Sequence, residues 1–219
     1  MNKAFIFDMD GVLVDSESQW IGKDHEFHIG VFGKEIGEQI GNTTGISLKT
    51  IYEKACDLGT NVSYEEYVVK YNKLVTPIYA QAALTAGVQD LTNYLTSKMF
   101  LLGLVSATPR RWIQSVTDRL QISDKLGAVV SINDTLGLHS KPAPDGYLEA
   151  LRILNADPAH SIVLEDSNLG IASGKAAGCY VIGYSGHLAD GYEQTGADEY
   201  ANTMDEVIDL VEKFDARLE

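Results

Sequence analysis

Two carboxylates lie two residues apart at the end of a short apolar run, Phe5-Ile6-Phe7-Asp8-Met9-Asp10-Gly11. Residues 3–7 read as a buried strand, whose period of two points Asp8 and Asp10 to the same side. Like charges this close repel, so such a pair usually implies a cation beside it. Gly11 then lets the backbone turn sharply. A second acidic pair, Glu165-Asp166, follows the apolar run 161–164 and opens a helical stretch. One or both of these carboxylates would complete, with Asp8 and Asp10, an all-oxygen shell suited to magnesium. The plainer reading of the second pair is an acidic helix cap. A third apolar run ends in Ser106-Ala107-Thr108-Pro109. It offers a hydroxyl, backbone N–H groups and a proline suited to a first helical turn, where an anion is attracted. Finally, Ser140-Lys141-Pro142-Ala143-Pro144 sets the only lysine between Lys125 and Lys175 among stiffening prolines. A nucleophile, a proton shuttle, anion clamps and metal ligands make up the inventory of phosphoryl transfer.

These residues need elements to bring them together. Apolar runs at 3–7, 100–105, 128–132, 161–164 and 180–183 are continuous, as expected of strands covered on both faces. Helical faces lie between them: Val88, Leu91 and Leu95; Trp112, Val116 and Leu120; Tyr147, Leu151 and Leu154; and the Ala-rich stretch 171–177, with Gly178 as its stop. This alternation predicts an α/β fold, a doubly wound parallel sheet with helices on both faces. Every polar group singled out above then falls at a strand's carboxyl end, where such sheets build their sites. Residues 16–84 break the pattern and contain no convincing strand. Ser63-Tyr64-Glu65-Glu66 matches a capping box, followed by Tyr67, Val68, Tyr71, Leu74, Val75 and Ile78 at helical spacing. Pro77 is expected to kink or end that helix. Ile36, Ile40, Leu48, Ile51 and Tyr52 predict further short helices. The expected organisation is a core of residues 1–15 and 85–219 with a helical insert, 16–84.

The bulk composition narrows the classes. The chain has 219 residues, 45% hydrophobic and 22% charged, which argues against disorder. A net charge of −14 makes nucleic acid an unsuitable partner. It also means that an anionic substrate needs a local cationic focus, which a metal ion and Lys141 would provide. Two cysteines, Cys56 and Cys179, do not suggest a disulfide framework and fit a reducing cytosol. The N-terminal apolar run is too short for a signal peptide, and no stretch approaches a membrane span, so a cytoplasmic location is expected.

The four segments together resemble the four motifs of the haloacid dehalogenase superfamily. Asp8-Met9-Asp10-Gly11-Val12 is similar to its first motif, Ser106 to its second, Lys141 to its third and Glu165-Asp166 to its fourth. The wider strings Asp-Gly-Val-Leu-Val-Asp-Ser-Glu, Lys-Pro-Ala-Pro-Asp and Leu-Glu-Asp-Ser-Asn-Leu-Gly-Ile resemble the branch of β-phosphoglucomutase and sugar-phosphate phosphatases, whose helical cap follows the first strand. The resemblance implies that Asp8 attacks phosphorus and becomes an aspartyl phosphate, and that Asp10 moves the protons. It implies that Ser106, the backbone at Ala107 and Lys141 hold the phosphoryl oxygens. Magnesium would sit between Asp8, the backbone carbonyl of Asp10 and Asp166, with Glu165 beside it. The implied partner is a small phosphorylated metabolite, with neither nucleic acid nor membrane; the oligomeric state stays open, a monomer being favoured. Asp10 argues against a dehalogenase or a phosphonate-cleaving enzyme, which do not need it. The mutase carries a cap histidine where this chain has Trp20, and a cap arginine, whereas residues 16–84 contain none. Hydrolysis is therefore favoured over phosphomutase chemistry, with a silent phosphate-binding regulator as a remote alternative. The cap is expected to close over the core on hinges near Ser16 and residues 84–87. Trp20, His25, Asn42, Thr43 and Thr44 are its candidates to touch the rest of the substrate. His139, His187 and the two cysteines receive no role.

Overall fold

The computed structural model describes residues 2–16, 23–41, 43, 46–189 and 191–218. Six parallel strands form one sheet: β1 (Ala4–Phe7), β4 (Leu101–Ser106), β5 (Leu126–Ser131), β6 (Ile162–Glu165), β7 (Tyr180–Tyr184) and β8 (Glu199–Ala201). Their spatial order is β5-β4-β1-β6-β7-β8. β1 therefore sits where the winding reverses, with β4 on one side and β6 on the other, the crevice in which open sheets of this kind bind ligands. Strand periodicity explains why β1 is apolar throughout. Phe5 and Phe7 enter one core cluster with Leu91, Leu95, Leu104 and Val116, while Ala4 and Ile6 enter the opposite one with Val105, Tyr147 and Val163. All four strand residues are fully buried. The helices that cover the sheet include α5 (Val88–Ser97), α6 (Arg110–Leu120), α7 (Asp145–Leu154), α8 (Asn168–Ala176) and α9 (Met204–Asp215).

Between β1 and α5 lie four helices: α1 (Lys23–Phe32), α2 (Lys34–Ile40), α3 (Leu48–Asp57) and α4 (Tyr64–Gln81). They gather an apolar cluster of their own around Val31, Phe32, Ile40, Leu48, Ile51, Ala55 and Tyr67. The predicted capping box starts α4: Ser63 Oγ accepts the Glu66 N–H at 3.2 Å.

Three expectations need correction. Pro77 does not end α4, which continues to Gln81. The N–H that proline lacks is offset by tertiary bonds that pin the last turn: the Arg119 guanidinium donates to Tyr79 O at 2.6 Å and to Ala82 O at 2.8 Å. The stretch 16–84 is not free of strand either. β2 (Val14–Asp15) pairs antiparallel with β3 (Ala83–Leu84), tying together the chain's entry to the helical segment and its exit. Two residues are too few to carry a periodic signal. The edge strand β8 was also not predicted; Glu-Tyr-Ala is short, and two of its three residues are exposed. Among the described residues no helix is long and apolar enough to cross a membrane.

Candidate active site

The loop after β1 is wound tightly. Asp8 N donates to Leu164 O at 2.9 Å, carrying the β1–β6 ladder one residue past the strand. Leu13 N returns to Met9 O at 2.8 Å and Gly11 N to Val14 O at 2.9 Å. Gly11 has φ +75°, and a Cβ there would lie 1.9 Å from Asp166 Oδ2. One glycine thus makes the turn and lets the carboxylate from β6's end approach the β1 loop.

Lys141 is 5% exposed. Its ammonium donates to Asp8 Oδ1 at 2.5 Å and to Glu165 Oε1. Glu165 is fully buried and amply hydrogen-bonded, as a polar group in that position must be. Tyr147 Oη donates to Oε1 at 2.6 Å, and the N–H and hydroxyl of Ser167 donate to Oε2 at 3.3 and 3.2 Å. A Cβ at Gly170 would strike this carboxylate at 1.9 Å, so α8 approaches it only because that position is bare. Asp8, Glu165 and Asp166 offer oxygens all within 4.8 Å of one another. Burial pushes the Asp8 carboxyl well above the usual carboxylate range; Lys141 opposes this, and Glu165 and Asp10 add to it. Burial pulls the Lys141 ammonium down, but Asp8 and Glu165 more than offset it, so the lysine stays protonated. Three carboxylates facing one ammonium leave an excess of buried negative charge. A divalent cation would relieve that excess, and an all-oxygen donor set suits a hard ion such as magnesium.

The Asp10 carboxylate is not part of that trio. It is bracketed by hydroxyls: Ser16 Oγ at 2.6 Å and Tyr79 Oη at 2.7 Å on Oδ1, and Thr108 Oγ1 at 2.8 Å on Oδ2. Ser106 Oγ, accepting from Thr108 N at 3.0 Å, lies 3.4 Å from Oδ2. Ser106 ends β4 and Ala107 follows it, just before α6, as the sequence predicted.

Asp8, Asp10, Ser106, Ala107, Thr108, Lys141 and Asp166 line one cleft. Its opposite wall comes from the helical segment: Asp24 on α1, Thr43, Ile46, Leu48 and Ile51 near α3, and Tyr71 and Tyr79 on α4. Thr43 Oγ1 donates to the Asp24 carboxylate. Ser140, beside Lys141, meets the start of α3 through Thr50 Oγ1 at 3.0 Å. Of the five residues predicted to touch the substrate from this side, Thr43 lines the cleft. His25 does not: it is exposed on α1, roughly 100° around the helix from Asp24. Trp20, Asn42 and Thr44 lie outside the described residues. Tyr147, Tyr79, Thr108, Asp24 and Gln194, whose amide donates to Asp166 O at 2.6 Å, were not singled out from the sequence, and Ser16 was marked only as a hinge. Single hydroxyls and amides carry no spacing signal; only Thr108, inside the Ser106 motif, could have been found.

Comparison with known proteins agrees with this fold. A family model described as haloacid dehalogenase-like hydrolase matches residues 5–184. Hexitol phosphatase B of Escherichia coli is 28% identical over 179 residues, 80% of this chain and 79% of its own. Beta-phosphoglucomutase of Bacillus subtilis is 28% identical over 214 residues, 90% of this chain and 87% of its own. The crystal structure of beta-phosphoglucomutase from Clostridium difficile superposes with a TM-score of 0.76 at 22% identity, over 100% of this chain and 99% of that one, which supports the fold.

Proposed function

This chain belongs to the haloacid dehalogenase-like hydrolases, and from that premise we propose that it is a magnesium-dependent phosphatase working through an aspartyl phosphate on Asp8. It is an enzyme acting on phosphoric monoesters, like the phosphatases and the phosphomutase it resembles. The observation that carries the finer reading is Lys141, buried between Asp8 and Glu165 beside Asp166.

A carboxylate oxygen of Asp8 attacks phosphorus, the bond from phosphorus to the leaving oxygen breaks, and Asp10 gives its proton to that oxygen. Asp10, now ionised, takes a proton from water, whose oxygen displaces Asp8 from phosphorus. Phosphate leaves, and both carboxyls are restored. Lys141, Ser106 and the backbone at Ala107 hold the phosphoryl oxygens throughout. Asp8, Asp166 and the Asp10 carbonyl, with Glu165 beside them, would hold magnesium, which when bound adds positive charge against the phosphoryl oxygens.

We read residues 16–84 as a cap that supplies the far wall and the substrate preference. Among the described residues Lys141 is the only cation lining the cleft. The undescribed residues of the cap, 17–22, 42, 44 and 45, include no lysine, arginine or histidine. A mutase must grip two phosphates, and a second grip needs a cation. Asp24, Thr43 and Tyr71 instead suit the hydroxyls of an uncharged polyol or sugar. The substrate class is therefore a small monophosphate, and the reaction is hydrolysis.

The test is phosphate release from a panel of sugar and polyol monophosphates and bisphosphates with magnesium, with Asp8→Asn alongside. Wild type should release phosphate from the monophosphates, and Asp8→Asn should release none. Isomerised sugar phosphate without net release would replace this reading with the mutase; equal turnover by Asp8→Asn would remove the covalent scheme.

A further inference from the structure

We infer that Tyr79 is a positioning residue for Asp10: its hydroxyl, with those of Thr108 and Ser16, fixes the carboxyl that protonates the leaving group. The inference rests on the proposed role of Asp10 as the acid.

The three hydroxyls reach Asp10 from three parts of the chain: the last turn of α4, the turn between β4 and α6, and the residue after β2. Tyr79 Oη also lies 3.0 Å from Thr108 Oγ1, so the bracket is itself joined. Tyr79 is 1% exposed, Ser16 is fully buried and Thr108 is 7% exposed. A carboxylate has about four acceptor sites, of which these bonds fill three. The fourth, on Oδ2, takes the Ser106 hydroxyl at 3.4 Å, the longest of the set. Ser106 is assigned to the phosphoryl group, so a transferable proton can take this place when that hydroxyl turns to the substrate. An acid fixed in this way needs no search at the moment of transfer.

Tyr79 belongs to α4 by sequence but to the core by contact. Tyr67, one face of α4's first turns, packs in the insert's own cluster. Val75, Tyr79 and Ala82 pack in the cluster around β1. Arg119 of α6 holds the Tyr79 and Ala82 carbonyls, and the Tyr79 ring stacks on Trp112 at 5.9 Å between centroids. Pro77 lies within the core-packed half, between Val75 and Tyr79, where the helix lacks one backbone bond. The last turn of α4 is thereby anchored to the core, and the phenol keeps its place beside Asp10 whatever the rest of the cap does.

Leaving-group dependence tests this. Departure of an alkoxide needs an acid; departure of p-nitrophenolate does not. The constant kcat/KM reports the steps up to the first irreversible one, which includes that departure. For Tyr79→Phe, which keeps the ring on Trp112, the ratio of kcat/KM for a hexitol phosphate to that for p-nitrophenyl phosphate should fall roughly tenfold, the loss of one hydrogen bond to a charged group. Thr108→Val should lower it similarly, so the inference stays testable if Tyr79→Phe folds poorly. A parallel fall for both esters, or no fall for either, would reduce Tyr79 to a packing residue and overturn the inference. Asp10→Asn separates the two levels. If it leaves the ratio unchanged, the acid assignment itself is wrong; if it lowers the ratio while neither hydroxyl variant does, only the bracket is wrong.

Discussion

Gly11 shows how narrowly a residue can be specified by its neighbours. A methyl at this position would occupy the space of the Asp166 carboxylate, on a backbone that disfavours any side chain. Gly11→Ala should therefore push Asp166 out of the acidic trio while β1 stays folded. The expected result is a higher magnesium concentration for half-maximal phosphate release, with a lower melting temperature in the metal-free protein, since a side chain at this positive φ costs about 1–2 kcal/mol. Asp10→Asn is a different case, because the hydroxyl bracket can hold an amide oxygen too. It should slow transfer from an alkyl ester by about 10² to 10⁴, the usual range for a general acid, measured as single-turnover phosphorylation. Asp8, Asp10, Ser106, Lys141, Glu165 and Asp166 were all legible in the sequence because each ends a recognisable strand or sits in a proline-framed turn. Tyr79 and Asp24 were not, because each reaches the site from a helix whose orientation depends on packing across some tens of residues. His25 was misjudged for the same reason: one step along a helix is a large rotation around it.

At the scale of elements, β1 carries both the fold and the chemistry. Its four residues are buried on alternating faces and its end delivers Asp8, so a cavity in the strand should reach the site. Phe7→Ala should cost about 3–5 kcal/mol of stability, read from urea unfolding. The strand should also lose activity under conditions where the variant is still folded, because Asp8 follows Phe7 directly. Continuous apolar runs made β1, β4, β5, β6 and β7 legible within a residue or two. What escaped were elements whose existence is decided by tertiary bonds: the two-residue β2–β3 ladder, the exposed β8, and the turn of α4 beyond Pro77, which the Arg119 guanidinium holds in place.

At the scale of the molecule, a chain of net charge −14 concentrates its buried cation at one point and, among the described residues, leaves the proposed cap without a cation lining the cleft. The cap also holds a buried imidazole. His28 is 1% exposed, stacked on Phe32 and 3.4 Å from the Tyr67 hydroxyl. Burial lowers its pKa below the usual 6.5, with His25 acting the same way and Asp24 opposing. The unfolded chain thus binds a proton more readily than the folded one. The neutral ring's contribution is present above about pH 6.5 and is lost as pH falls through the folded value. Between about pH 6.5 and the lower folded value the wild type should lose up to about 1.4 kcal/mol of stability per pH unit relative to His28→Gln, read from thermal melts across pH 7.5 to 5.

The β2–β3 ladder has a consequence of another kind. Val14 faces Leu84 and Asp15 faces Ala83, so the chain leaves the sheet and returns to it through a doorway one strand spacing wide, roughly 5 Å. To the sheet, the intervening helices are a long surface loop with adjoining ends. Such a loop can be shortened, lengthened or exchanged with little change in the closure entropy of the remainder. On the proposed reading, the helices ahead of the last turn of α4 are therefore a separable inheritance: a lineage can trade them for others while the carboxylates, with Ser16 and Tyr79 beside Asp10, stay as they were.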